Sequence, residues 1–102
     1  MQQQFEWDPK KDQGNLRKHG IGFKAATGVF DDPYLLLEED RNIAGEDRIQ
    51  AIGVSGKQML LLTVAHTVRY EDDKETVIRI ISARKATKQE RRRYGAIFSD
   101  AP

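Results

Sequence analysis

Basic side chains are concentrated in one segment of this chain, and chemistry there would have to use them. Between Arg79 and Arg93 the sequence has seven Lys and Arg residues and one acidic residue, Glu90. The segment begins with the apolar residues of a strand, turns basic at Arg84, and continues into a basic helix that carries Tyr94. Guanidinium groups bind phosphate and carboxylate bidentately without losing their charge. The segment therefore fits a phosphate backbone or an acidic protein, and a solvated helix face is the ordinary alternative.

The two histidines are the remaining groups that exchange protons near neutral pH. His19 stands at the expected end of a helix, where the helix dipole accounts for it structurally. His66 shares a strand face with apolar residues, the usual setting of a half-buried structural histidine, although Arg69 follows three residues later. Arginines, one histidine and one tyrosine suffice to cut RNA without a metal. A base takes the 2′-hydroxyl proton, arginines stabilise the phosphorane, and an acid protonates the leaving oxygen.

Several other kinds of chemistry have no support in the sequence. The chain has no cysteine, which excludes disulfides, thiolate metal sites and a thiol nucleophile and fits a reducing cytoplasm. It has no glycine-rich phosphate loop and no Gly-x-Ser-x-Gly string. The adjacent acids, such as Asp31-Asp32 and Asp72-Asp73, are expected to face solvent. Its longest apolar run, Met59 to Leu62, is too short to cross a membrane. We therefore expect a soluble cytoplasmic protein with no metal and no cofactor.

At 102 residues the chain predicts one α+β domain over residues 1–102. Phe5 and Trp7 alternate with acidic residues as in a short strand, and Asp8-Pro9 predicts the start of a helix that runs to His19. Gly20 is expected to end that helix in a Schellman motif, with Leu16 against Ile21. Apolar spacing from Phe23 to Phe30 predicts a second short helix, closed by Asp31-Asp32-Pro33.

After Pro33 the period changes to that of strands, predicted at Tyr34–Glu38, Arg48–Val54, Met59–Tyr70 and Thr76–Lys85. Turns are expected at 41–47, 55–57 and 71–75, and such short connections make neighbouring strands antiparallel. The third strand should have one mainly apolar face and one that ends polar and basic. Thr87 and Glu90 have the spacing of a capping box, which predicts a last helix with Tyr94, Ile97 and Phe98 as its apolar stripe.

Several strings, in the same order, resemble the BrnT family of ribonuclease toxins from type II toxin-antitoxin pairs. They are Phe5-Glu6-Trp7-Asp8, Asn15 to Ile21, Asp31-Asp32-Pro33, Arg48 with Ile52-Gly53, His66 to Arg69, Ile78 to Ala86 and Glu90 to Tyr94. The resemblance runs from about residue 5 to 98. It implies a RelE-like fold, an antiparallel sheet of four main strands plus a short N-terminal strand, with two N-terminal helices and one C-terminal helix. It also implies RNA cleavage without a metal and neutralisation by a BrnA-like ribbon-helix-helix antitoxin. Operator DNA would be bound only through that antitoxin.

Transferred to this chain, the resemblance suggests catalytic roles for four residues and RNA contacts for three more. Arg48, Arg69 and Arg84 are expected to be phosphate and transition-state ligands, and His66 is the candidate for proton transfer. Arg79, Arg91 and Tyr94 are expected to contact RNA, although Tyr94 also fits the core. Strand parity complicates this set: Arg79 and Arg84 are five positions apart and His66 and Arg69 three, so a regular strand separates each pair unless a bulge intervenes. The alternative function is a non-catalytic module that binds RNA or protein through its basic surface.

Overall fold

A five-stranded sheet is the centre of the fold. The computed structural model describes residues 2–56, 59–72 and 75–99. In chain order the elements are β1 (Gln2–Glu6), α1 (Pro9–His19), α2 (Phe23–Ala26), a 3-10 helix (Thr27–Asp31), β2 (Leu36–Ile43), β3 (Glu46–Ser55), β4 (Leu60–Tyr70), β5 (Glu75–Lys85) and α3 (Lys88–Ser99). The strands lie in the order β1-β5-β4-β3-β2. The predicted α+β class is confirmed.

The sheet is mixed, so the expectation of an antiparallel sheet is wrong at one edge. Strands β2 to β5 pair antiparallel, as their short connections require. Strand β1 lies parallel to β5, with Phe5 opposite Ile78 and Glu6 opposite Arg79. These two strands are separated by most of the chain, and loop length carries no information about such a distant pairing. The consequence for function is that Glu6 lies beside the arginine-bearing strand.

Helix α1 begins and ends where the sequence predicts, but the second helix is different. Asp8 caps α1 by accepting a hydrogen bond from the Lys10 N–H at 2.9 Å, and Gly20 ends it with a φ of 73°. The Gly20 N–H donates to the Leu16 carbonyl, which is the single hydrogen bond of an αL helix ending. Leu16 is 53% exposed, so the helix does not end in the expected Schellman motif with Leu16 packed against Ile21. The predicted helix from Phe23 to Phe30 is α2 followed by the 3-10 helix.

The hairpin between β2 and β3 corrects the predicted turn at 41–47. Both strands continue into that range, and the turn consists of Ala44 and Gly45 alone, at φ values of 54° and 82°. Two residues with positive φ form the tight turn whose twist suits a β-hairpin. The prediction was wrong because the residues at these strand ends, at the edge of the sheet, are mostly polar and so have the composition of a loop. The other two predicted turns include Lys57, Asp73 and Lys74, which lie outside the described residues, as does the side chain of Phe98.

Helices α1 and α2 and the 3-10 helix cover one face of the sheet and form the core with it. Phe23, Ala26 and Val29 pack on the buried side chains of Leu62 and Val64. The buried Asn15 amide ties α1 to β5: it donates to the Ala83 carbonyl at 2.8 Å and accepts from the Ala83 N–H at 3.1 Å. Every second residue of the central strands therefore points into this core, and the residues between them point to the opposite face.

Helix α3 lies on that opposite face and covers only part of it. The predicted capping box is confirmed: the Glu90 N–H donates to the Thr87 hydroxyl at 3.2 Å, and the Thr87 N–H donates to the Glu90 carboxylate at 2.8 Å. Arg93 binds Glu38 of β2, and Tyr94 donates to Asp32. These contacts hold α3 across one end of the sheet. Among the described residues, no helix covers the other end of this face.

Candidate functional site

The part of the sheet that is not covered by any helix in the described part of the chain carries most of the arginines singled out in the sequence. We call it the open face and define it by Arg48 and Gln50 of β3, Ala65, Thr67 and Arg69 of β4, and Arg79 and Ser82 of β5. Arg84 lies at its border, where α3 begins. The small residues Ala65 and Thr67 form its floor and are buried, whereas Arg69 and Arg79 keep 51% and 39% of their side chains exposed. The face is thus a shallow trough with basic walls.

A β-bulge places Arg79 and Arg84 on the same face. Ser82 pairs with Ala65, but His66 pairs with Ile80, so Ile81 has no partner on β4. The extra residue resets the alternation of β5, and Arg79 and Arg84 lie opposite Thr67 and Thr63. The two threonines are four residues apart and share a face, at a separation of roughly 13 Å along the strand. The parity conflict seen in the sequence is resolved for this pair.

One row of side chains crosses the open face from edge to edge. Glu6 is in register with Arg79, and Arg79 with Thr67. Arg48 follows Thr67 in the row, because Ile49 pairs with His66 one residue away, and Arg41 pairs with Arg48 at the far edge. Arg79 and Arg48 therefore stand on either side of the short Thr67 side chain, about 10 Å apart at their backbones. Two long guanidinium side chains at that spacing can converge on one phosphate.

Glu6 holds two of the arginines. Its carboxylate pairs with Arg79 Nη1 at 2.7 Å and with Arg69 Nη2 at 2.5 Å. Arg69 also pairs with Glu71. The hydrogen bond from Arg69, followed by that from Arg79, lowers the pKa of Glu6 below its ordinary value, despite the opposing effect of burial. Within residues 2–56, 59–72 and 75–99, Arg48 forms no ion pair, which leaves its guanidinium available to an anion.

Arg84 is fixed by Glu90, the first acidic residue of α3. The pair is bidentate, at 2.7 and 3.1 Å, and the same carboxylate accepts hydrogen bonds from Thr63 and from the Thr87 backbone. Glu90 is 7% exposed, and its bond with Arg84 is the main cause that brings its pKa to about 2. Arg84 is therefore a rigid cation whose direction is set jointly by the sheet and α3.

His66 and Tyr94 are not brought together with the arginines. His66 points into the core, 2% exposed, with its ring edge-on to Phe30 at 5.0 Å, and burial lowers its pKa. Arg69 points to the open face, so the bulge does not unite this pair. Tyr94 is buried and its hydroxyl donates to Asp32 at 2.6 Å; burial, then Asp32, raises its pKa to about 12. Arg91 is exposed on α3. The proposed roles of these residues stay predictions.

Sequence reasoning missed Glu6 and Thr67 as members of this site. A signal for Glu6 was present, because Phe5 and Trp7 on either side of it are apolar and must turn toward the core, which sends Glu6 to the other face. What the sequence lacked was the pairing of β1 with β5, which sets Glu6 beside Arg79. In the described part of the chain, no three His, Asp or Glu side chains cluster as metal ligands, and no helix is both long and apolar enough to span a bilayer.

Comparison with known families gives the class of protein. The model of a family described as the ribonuclease toxin BrnT of type II toxin-antitoxin systems matches residues 7–90. That match covers most of the chain and includes β2 to β5 with all of the arginines of the open face. A search of the curated proteins finds no match. The class is that of ribonuclease toxins with a cognate protein antitoxin. The chain belongs to the BrnT family, as the sequence strings predict.

Proposed function

We propose that this toxin is a metal-independent endoribonuclease that binds the RNA backbone on its open face. The observation that carries the proposal is the placement of Arg48 and Arg79 on either side of Thr67, where two guanidiniums can hold one phosphate group. As the phosphorane forms, its added negative charge is stabilised by cations that are already in position. Arg69 and Arg84 lie further along the trough and bind neighbouring phosphates.

The donor groups of the open face support catalysis without a metal. The carboxylates on and beside it already have partners: Glu6 pairs with Arg69 and Arg79, and Glu90 with Arg84. Asp40 accepts a hydrogen bond from Gln50 and lies 3.8 Å from Arg41. A divalent cation would have to displace these partners and sit among other positive charges, which costs free energy at close range. The arginines supply the charge stabilisation that a metal supplies elsewhere.

The antitoxin is proposed to be a ribbon-helix-helix protein that covers the open face and alone makes the operator DNA contacts. Bound there, it would compete directly with RNA. The toxin's exposed guanidiniums favour an acidic segment of the antitoxin as the group that occupies the trough. Both partners and the RNA substrate meet in the cytoplasm, where we expect the protein to act.

The deciding experiment is cleavage of a defined RNA by purified toxin in excess chelator, with and without added Mg²⁺. We expect cyclic-phosphate products at the same rate in both, and protection of the RNA on addition of the antitoxin. Loss of cleavage in chelator, restored by Mg²⁺, would disprove metal independence. Binding of RNA without product at any toxin concentration would instead favour the non-catalytic alternative.

A further inference from the structure

We propose that Glu6 is the general base of the reaction, the group that takes the 2′-hydroxyl proton of the bound RNA. The inference rests on the proposed ribonuclease function and adds a catalytic residue to it. It starts from the row across the open face, in which Glu6 is the neighbour of Arg79 on the side away from Arg48. A phosphate held above Thr67 would bring its adjacent ribose within reach of this carboxylate.

The position of Glu6 is fixed from the core side. Phe5 packs against Phe30 with the rings tilted by 49° and their centroids 5.4 Å apart, and Trp7 meets Phe23 edge-on at 6.3 Å. Because both neighbours in sequence are held in the core, the Glu6 side chain has only the open face available to it. A base held on a strand between two packed aromatic residues is preorganised, as proton transfer in a transition state requires.

Glu6 also differs from the other carboxylates around the trough. Asp40 accepts a hydrogen bond from Gln50 at 3.1 Å and lies on β2, three strands away from Arg79 on β5. Glu90 is 7% exposed and its oxygens are occupied by Arg84, Thr63 and the Thr87 backbone. Glu38 is bound through both oxygens to Arg93 on α3. The Glu6 side chain is 32% exposed, and each of its oxygens binds one guanidinium, which leaves lone pairs for a hydroxyl.

The two arginines keep Glu6 ionised, and bound RNA changes the basicity of its carboxylate. Charged at neutral pH, the carboxylate is in the form that accepts a proton. A bound phosphate competes with Glu6 for the guanidinium of Arg79, and a carboxylate that loses a cationic partner becomes more basic. Substrate binding thus raises the basicity of Glu6 at the step that uses it.

The proposed step is a transesterification. The Glu6 carboxylate takes the proton of the 2′-hydroxyl, and the 2′-oxygen forms a bond to the adjacent phosphorus. The bond from phosphorus to the 5′-oxygen breaks, and that oxygen takes a proton from water. Glu6 then returns its proton to water. The products are a 2′,3′-cyclic phosphate and a 5′-hydroxyl end, with no other reactant consumed.

The test separates chemistry from binding in the variant Glu6→Gln. Cleavage is measured as kcat/KM on a defined RNA, and binding as the Kd of the same sequence with 2′-O-methyl riboses, which offers no 2′-hydroxyl proton. The matched control is Glu71→Gln, which removes the other carboxylate that pairs with Arg69. We expect Glu6→Gln to lower kcat/KM by about 100-fold or more, the range of general-base catalysis. Its Kd should be unchanged or lower, and the control should behave as wild type.

Two results would overturn the proposal. One is a loss of kcat/KM in Glu6→Gln smaller than about tenfold. The other is a rise in Kd by the same factor as the loss of kcat/KM, which would mean that Glu6 only positions Arg69 and Arg79. If Glu6→Gln does not fold, Glu6→Asp decides, since it keeps the charge and withdraws the carboxylate by one methylene. Reduced kcat/KM with unchanged Kd supports the proposal, and unchanged kcat/KM refutes it. Absence of cleavage by the wild-type toxin would refute the ribonuclease function itself.

Discussion

Arg79 and Arg84 project from the same face of the sheet although they are five positions apart along β5. On a regular strand that spacing would put them on opposite faces. The bulge at Ile81 brings them to the same face, because it makes Ser82 and Ile80 the partners of the adjacent residues Ala65 and His66. Bulges redirect side chains and are frequent near active sites. Here the bulge places Arg79 and Arg84 on the face that also carries Arg48 of β3.

Replacing Arg48 or Arg79 with alanine should slow RNA cleavage by two orders of magnitude or more. Each substitution removes one of the two guanidiniums flanking Thr67, and loss of one preorganised charge donor costs about 3 kcal/mol of transition-state stabilisation. Single-turnover cleavage rates of folded protein measure the effect. Arg92→Ala is the control, since Arg92 is exposed on α3 and is not one of the two arginines that flank Thr67. Wild-type rates for Arg48→Ala and Arg79→Ala would remove the pair from the mechanism.

Local rules predicted the parts of this fold that depend on neighbours in sequence. The caps at Asp8, Gly20 and Thr87 are where the sequence places them, because each is made by groups a few residues apart. The site itself depends on distant pairings. Neither the parallel partner of β1 nor the unpaired Ile81 is encoded in any short window, so the sequence identified the arginines without showing which of them meet.

Acid should destabilise the fold through Glu90. Its pKa is about 2 in the folded protein and 4.5 as a free side chain, so its stabilising effect is complete above pH 4.5 and is lost as the pH falls toward 2. The loss amounts to about 2 to 3 kcal/mol, allowing for the partial exposure of Arg84. Urea unfolding at pH 7, 4 and 3 measures it. Glu90→Gln should be less stable at pH 7 and lose less on acidification; equal pH slopes for both proteins would contradict this account.

Removing the Tyr94 hydroxyl should affect stability and leave RNA binding unchanged. In Tyr94→Phe, the half-buried Asp32 carboxylate loses one hydrogen-bond donor and keeps the backbone N–H groups of Val54 and Tyr34. A hydrogen bond to a charged group contributes about 1.5 to 3 kcal/mol, and the partial exposure of Asp32 places the loss at the lower end of that range. Thermal unfolding checks the first part and the Kd for 2′-O-methyl RNA the second. A large rise in Kd with little change in stability would place the tyrosine in the RNA interface, as the sequence suggested.

His66 gives the sharpest contrast between the sequence prediction and the placement of the side chain. Its ring packs edge-on against Phe30 in the core, on the opposite face from Arg69, and burial lowers its pKa. His66→Phe keeps an aromatic ring in this apolar site, so folded protein should cleave RNA within about threefold of the wild-type rate, whereas loss of a general base costs 100-fold or more.

His66→Ala leaves a cavity and should lower the free energy of unfolding by about 2 to 4 kcal/mol. The imidazole is neutral in the fold and gains a proton when unfolded below pH 6.5, so the wild type should lose stability as the pH falls from 7 to 5 and His66→Phe should lose less. Cleavage rates and urea unfolding of both variants test this together. Loss of cleavage by well-folded His66→Phe would restore the histidine as the proton-transfer group and require the core face to open during the reaction.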